Sequence, residues 1–419
     1  MLKSTHAVAL IAAGTLLAIS GQATLAQSQV LKIQGVEYGY TPTAIELFEK
    51  ANPDIKVEYS NQQPVFEDGS VQTQLRSGSG ADVLYISTGP ARIGLLIRND
   101  LLPNLDDVWS EGNLKQNMLA PIVDAVSRYS GGHWYEVPNG MDIFQVAYNK
   151  QIFEQLGVSV PKTWDEFIAI CDKAKAAGIT PIVAGYRDGL QAGWMFGQVV
   201  QAVAGREVAS DVLYGDGPWD QPAMIKAAQV LKQWFDAGYM DAATVSALDS
   251  KQEQAAFYAG GGAMSFLGNT HVLQAQANGQ ADPANFDVFP LPSPNPDQAP
   301  AATAGIGSSW VMNPGTKVPE AAKKWLEWAA SEDFAKLMVE SGGGSVPARI
   351  LPADVKALPL MQNAIAQAPT AGYNPSVVVG ARTKDAWYAA GQGIASGQLT
   401  PEAAMANLQA AKEQDAAAQ

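Results

Sequence analysis

The chain has 419 residues, 47% hydrophobic and 16% charged, with 41 acidic against 27 basic side chains and a net charge of −14. That balance, without any basic run, excludes nucleic acid and anionic lipid as partners. A single cysteine, Cys171, excludes an internal disulfide framework.

The first 26 residues read as a secretory signal. Lys3 supplies the positive end, an apolar run follows from Ala7 to Ile19, and the small residues of "ATLA" precede a cut after Ala26. The run is shorter than the roughly 20 residues of a membrane span. No cysteine stands near the cut to carry a lipid. Secretion without disulfides or a lipid anchor implies a bacterial periplasm. At roughly 100–200 residues per domain, the rest amounts to two or three domains.

"QVLKIQGV" opens as a strand, and "TPTAIELFEKANP" follows as a helix with Thr41 as N-cap and Pro42 in the first turn. Ala44, Ile45, Phe48 and Ala51 form its apolar stripe. "DIKVEYS" alternates like a strand, and "ADVLYIS" is a continuous apolar run suited to a strand covered on both faces. Strand and helix in alternation predict an α/β fold with a mostly parallel sheet flanked by helices. "FQVAYN" reads as another strand. Thr163 and Glu166 then form a capping box. Phe167, Ile170, Cys171 and Ala174 mark the buried face of that helix, which makes Cys171 a core residue. Gly178 ends it, and "ITPIVAG" begins a further strand. A loop of proline and small residues spans Leu291–Gly305. Helices are predicted in "VPEAAKKWLEWAASEDFAKLMVES" and "TPEAAMANLQAAKEQ".

Catalytic signatures are missing. His133 and His271 lack metal-ligand spacing, and there is no nucleophile elbow or phosphate loop. Asp216 and Asp220 in "YGDGPWDQ" read as a surface turn rather than a glycosidase carboxylate pair. The sequence calls for no cofactor, no metal and no enzyme activity. What recurs instead is tryptophan and tyrosine beside glycine and small polar residues, as in "GVEYGY", "AGYRDGLQAGW", "GIGSSW" and "KDAWYAAG". Aromatic faces match the C–H faces of sugar rings, and flanking polar groups bond sugar hydroxyls. Each such bond nets only about 0.5–1.5 kcal/mol, but a buried unmatched partner costs about 1–3 kcal/mol, so many matched bonds give selectivity.

"WYEVPNGMDIFQVAYNKQIFEQLGVSVPKTWDEFIAICDKAKAAGITPI" resembles the central signature of the extracellular solute-binding proteins of ABC sugar importers, the family 1 group that includes maltose-binding protein. "AFYAGGGAMSFLGN", "FDVFPLPSPN", "AGIGSSWVMNPGTKVPEAAKKWLEW" and "AWYAAGQGIASGQLTPEAA" follow in the family's order. The resemblance implies a type II periplasmic-binding-protein fold: two α/β lobes with ligand in the cleft between them. It implies an N-lobe of residues 27–141 and 305–345, and a C-lobe of residues 143–304 and 346–419. Crossings are then expected near 142–147, 304–310 and 345–350. The implied protein is a monomer that captures a carbohydrate or related polar small molecule by lobe closure and delivers it to the permease subunits of an ABC importer.

The resemblance also carries over ligand contacts. They are Glu37 and Tyr38 after the first strand; Ser87, Thr88 and Gly89 after "DVLYI"; Asp142 before the crossing strand; and Tyr186, Arg187 and Asp188 after "ITPIVAG", with Trp194 nearby. Asn269 and Thr270 stand where the family often has a stacking tryptophan, so Trp310 is expected to replace it. Gly344 and Arg349 in "SGGGSVPAR" are expected at the cleft, and Trp387 matches a family stacking tryptophan. Arg187 and Arg349 read equally as surface ion-pair residues; if both face the cleft, the ligand is an acidic or sulfonated sugar. Other readings are a polyol or glycerol-phosphate diester in the same fold, a subunit reporting ligand to a membrane sensor, and a secreted glycan-processing enzyme.

Overall fold

The computed structural model describes residues 28–417 except 63, 65, 67, 68, 283, 343, 376 and 377. The expected signal segment and its cut after Ala26 lie outside the described residues. In chain order the strands are β1 (Gln29–Gly35), β2 (Ile55–Asn61), β3 (Val83–Ser87), β4 (Val137–Pro138), β5 (Gly140–Asn149), β6 (Met264–Gly268), β7 (Phe286–Phe289), β8 (Thr303–Ile306), β9 (Ser308–Met312), β10 (Val346–Pro347) and β11 (Gly372–Tyr373).

They form two sheets, one per lobe. The first has the order β2-β1-β3-β9-β4. Its β1 runs parallel to β2 and β3, while β9 is antiparallel to β3 and β4. In the second sheet β5 is antiparallel to β6, β7, β8 and β10, while β8 and β11 pair in parallel. The expectation of mostly parallel sheets therefore needs correcting: both sheets are mixed. In the first sheet the antiparallel strand is β9, which returns directly from β8 of the other sheet, and in the second it is β5, a ten-residue strand that follows β4 of the first sheet directly.

The chain changes sheet within single residues. Asn139 lies between β4 and β5, and Gly307 between β8 and β9. The first change thus precedes the expected 142–147, which lies wholly inside β5. The third passage is the stretch around β10: Val346 and Pro347 pair with β5, and Ala348 and Ile350 bond back to Leu119 and Asn117 of the first lobe.

Local chemistry accounts for the elements that were legible. The Thr163 hydroxyl accepts from the Glu166 N–H at 3.2 Å, and the Glu166 carboxylate accepts from the Thr163 N–H at 3.3 Å, closing the capping box of helix Trp164–Ala176. Phe167, Ile170, Cys171 and Ala174 are all buried in the second lobe's core. Thr41 does not cap its helix; its hydroxyl accepts from the Tyr38 N–H at 2.9 Å and so fixes the preceding turn. Ala44 and Phe48 are buried on that helix, whereas Ala51 is exposed. "ITPIVAG" makes only a single bridge, Ile182 with Met264. The C-terminal helices Ala381–Ala395 and Pro401–Ala417 pack against Leu190–Tyr214 and Pro222–Asp236, completing the second lobe.

Candidate functional site between the lobes

The crossing strands form the floor. On β5, Met141 and Asp142 pair with Ile306 and Gly305 of β8. Asp142 Oδ1 accepts hydrogen bonds from Thr270 Oγ1 and, at 2.8 Å, from Ser345 Oγ. Thr270 opens the second-lobe helix Asn269–Ala277, and Ser345 follows the helix Glu332–Glu340 on the first-lobe side. One carboxylate oxygen therefore joins the two sides. Oδ2 has no protein partner among the described residues.

Beside Asp142 stands an aromatic group. Trp194 is half-buried, and its ring lies 4.4 Å from that of His271 at a tilt of 39°, and 5.6 Å from Phe144. Burial holds the His271 imidazole below its ordinary pKa, with the charge of Asp142 opposing. Its Nδ1 accepts from the Gly268 N–H at 3.1 Å, so the proton of the neutral ring sits on Nε2. From the first lobe, Tyr38 stacks on Tyr40 at 5.5 Å and meets Tyr85 edge-on at 6.2 Å. Burial, with a smaller push from Asp142, raises the pKa of Tyr38 and of Tyr85.

Farther along, Thr88, Gly89 and Tyr129 of the first lobe and Tyr214, Gly372 and Tyr373 of the second line a narrow space with a cavity volume of about 20 Å³. Gly89 has φ 113°, a conformation that favours glycine. Behind it, the buried Glu136 accepts from Thr88 Oγ1 at 2.5 Å and from the Tyr129 hydroxyl at 2.6 Å. Burial raises the Glu136 pKa, its hydroxyl partners pulling the other way. At the mouth, the Tyr373 hydroxyl donates to Asp124 Oδ2 at 2.9 Å. Arg128 bonds the same oxygen and lies 4.7 Å over the Tyr214 ring.

Of the expected contacts, Thr270 and Tyr38 gather about Asp142, Trp194 lies against His271, and Thr88 and Gly89 line the space farther along. Ser87 is half-buried and pairs with Ser308 on β9. Glu37 is exposed, its backbone N–H tied to Asn61. Asn269 and Gly344 hold the seam instead of facing the cleft. Asn269 Oδ1 accepts from the Ile143 N–H at 2.7 Å, and its amide donates to the Gly344 carbonyl. A Cβ on Gly344 would come within 2.8 Å of the Thr270 Cα, so only glycine fits.

Six expected contacts need correction. Trp387 is 0% exposed, stacked 4.4 Å from Phe196 in the second lobe's core, with its N–H on the Gly193 carbonyl. Tyr186 is 1% exposed and donates to the Met195 sulfur. Trp310 is wedged between Tyr85 and Trp325 and bonds Asn139. Arg187 pairs with Asp249 and caps the Ala247 carbonyl, while Asp188 accepts from Ser250. Arg349 reaches the Ala330 carbonyl. Burial in a core or satisfaction elsewhere removes each of them from the cleft. Residues not singled out for the cleft, Tyr85, Tyr129, Glu136, Asn139, Tyr214, His271, Ser345 and Tyr373, are the ones that fill or frame it. Asn139 is the hub, bonding Tyr40, Tyr85 and Trp310 at the point where the chain changes sheet.

The family described as bacterial extracellular solute-binding protein matches residues 34–336. The chain belongs to that family. An uncharacterized ABC transporter extracellular-binding protein of Pyrococcus horikoshii is 27% identical over 316 residues, 73% of this chain and 68% of that one. A solved chitin oligosaccharide binding protein matches with a TM-score of 0.76 at 22% identity, covering 93% of this chain and 100% of that chain. An ABC transporter solute-binding protein from Thermotoga lettingae, bound with alpha-D-tagatose, matches at 0.72 and 21% identity, covering 92% and 98%. At these identities the likeness establishes the two-lobed fold. Among the described residues no helix is long and apolar enough to cross a membrane.

Proposed function

We propose that this solute-binding protein captures a carbohydrate between its lobes and delivers it, unaltered, to the permease of an ABC importer in the periplasm, acting as a monomer. The observation that carries the reading is a half-buried indole, Trp194, against the ring of His271, which in turn feels the charge of Asp142, a carboxylate with one oxygen unpartnered among the described residues. A sugar ring offers a C–H face to the first and hydroxyl donors to the second. Tyr38, Thr88 and Gly89 would contact it from the first lobe, with Glu37 and Ser87 at the edges. The sugar-binding relatives and the tagatose-bound neighbour support the same cargo class.

The lobes on this reading divide at Asn139, at Gly307 and around β10. Ligand touching both lobes favours the closed form over the open one, which is a population shift by hinge motion. Isothermal titration with a sugar panel tests the proposal. The expected result is binding by at least one sugar that Trp194→Ala weakens at least tenfold. Binding of sugars that Trp194→Ala leaves untouched, or no binding across the panel, contradicts it.

A further inference from the structure

The hydroxyl protons of the cleft can be counted. Thr88 Oγ1, the Tyr129 hydroxyl and the Glu136 carboxyl form a triangle, with contacts of 2.5 Å (Thr88 to Glu136), 2.6 Å (Tyr129 to Glu136) and 2.9 Å (Thr88 to Tyr129). Each hydroxyl owns one proton. If Glu136 is ionised, both protons go to its two oxygens. If Glu136 holds a proton, three protons fill three contacts and close the ring. With all of these contacts bonded, neither Thr88 nor Tyr129 has a proton left for a ligand, and each offers lone pairs.

The same count holds at the floor. Thr270 and Ser345 both spend their single protons on Asp142 Oδ1. Asp142 Oδ2 is a further acceptor, and Asp142 takes part in no ion pair among the described residues. None of the described residues lining the inner cleft carries a positive charge. Arg187 is engaged with Asp249 and Arg349 with Ala330, and at the mouth Arg128 is held by Asp124 over the Tyr214 ring while Arg206 lies 5.6 Å over that of Tyr373. A carboxylate or phosphate brought between these walls would meet lone pairs at both polar ends, plus the charge of Asp142 in a cleft that excludes water as it closes. A group that donates protons would satisfy them.

We infer that Asp142 and Glu136, by consuming the hydroxyl protons of Thr270, Ser345, Thr88 and Tyr129, make the cleft selective for ligands that donate hydrogen bonds at both polar ends: neutral polyhydroxyl or amine-bearing sugars, to the exclusion of carboxylated and phosphorylated ones. Glu136 acts as a positioning residue and Asp142 as a direct contact. The inference rests on the carbohydrate reading above and narrows its cargo. It counts against the acidic or sulfonated sugar and the glycerol-phosphate diester.

The test is a thermal-shift and calorimetric panel on the full mature protein. It uses stereochemically matched sets: glucose, glucosamine and glucuronate; galactose, galactosamine and galacturonate. In the series that binds, the neutral or amino member is expected to bind at least tenfold tighter than the uronate, and comparison of those two separates hydroxyl from ammonium donors. Asp142→Asn, which exchanges a charged acceptor for a neutral amide of the same shape, is expected to narrow the gap to the uronate at least tenfold. A uronate binding as tightly as its neutral partner overturns the inference, and that result on the wild type needs no variant. Silence across all sugars overturns the carbohydrate reading instead. The donor rule is then decided by spermidine against succinate and inorganic phosphate: stabilisation by an anion overturns it, and stabilisation by the polyamine alone supports it.

Discussion

Tyr373 donates its phenolic proton to Asp124 Oδ2 at 2.9 Å and so ties the last strand of the second lobe to the helix Ala120–Ser127 of the first. Arg128 holds the same carboxylate and covers Tyr214, whose ring meets Tyr373 edge-on at 5.1 Å. The four residues form a clasp across the mouth of the cleft, independent of any ligand.

Breaking the clasp favours the open form. Tyr373→Phe keeps the ring and removes one hydrogen bond worth about 0.5–1.5 kcal/mol. Ligand affinity is expected to fall by a few-fold to about tenfold, with the melting temperature nearly unchanged. Small-angle scattering of the unliganded variant reads a larger radius of gyration. An unchanged radius and affinity would assign the clasp no part in closure.

The two tryptophans that sequence reasoning treated alike differ in kind. Trp387 is fully enclosed by Phe196 and Trp219, so Trp387→Ala empties a core site and costs about 3–5 kcal/mol of stability. Trp194 is half-buried at the cleft, so Trp194→Ala is expected to cost far less stability and to weaken ligand binding. Denaturant melts beside binding titrations of both variants check this, and the reverse pattern would return Trp387 to the site.

What the sequence made legible was local. Capping at Thr163, the apolar spacing on its helix, and Asp142 at the crossing all follow from signals within a few residues or from the family's central signature. What it hid was side-chain direction. Tyr186, Trp310 and Trp387 sit in aromatic, glycine-rich surroundings like those of cleft residues, but the packing of neighbouring helices and strands turns them inward. His271 and Ser345 have no local mark. They join the site because the Asn269 amide draws the Gly344 carbonyl to the start of the helix Asn269–Ala277.

That seam is open to test. Asn269→Ala leaves the Ile143 N–H buried without its acceptor, and such a group costs about 1–3 kcal/mol. A loss of that size is expected in urea denaturation. A neutral substitution would mean that water or a shifted backbone replaces the bond.

Glu253 supplies a pH signature. Burial raises its carboxyl pKa to about 8, with bonds from Ser265 and Gln191 opposing and the charge of Asp188 adding to the shift. The folded chain keeps this proton to about pH 8, while the unfolded chain loses it near the ordinary 4.5. Between those values the unfolded state binds fewer protons, so stability falls as pH rises through that window, by at most about 1.4 kcal/mol per unit. Glu253→Gln removes this contribution. Urea melts from pH 5 to pH 8 are expected to show a flatter profile for the variant, and parallel profiles would contradict the assignment.

The most direct test of the account is a crystal structure grown with the tightest-binding sugar of the panel. The account expects a sugar ring lying against Trp194, with a hydroxyl or amine donating to Asp142 Oδ2 and a second donor reaching Thr88 or Tyr129. A sugar bound outside the two lobes, or one that leaves Trp194 and Asp142 untouched, would contradict it.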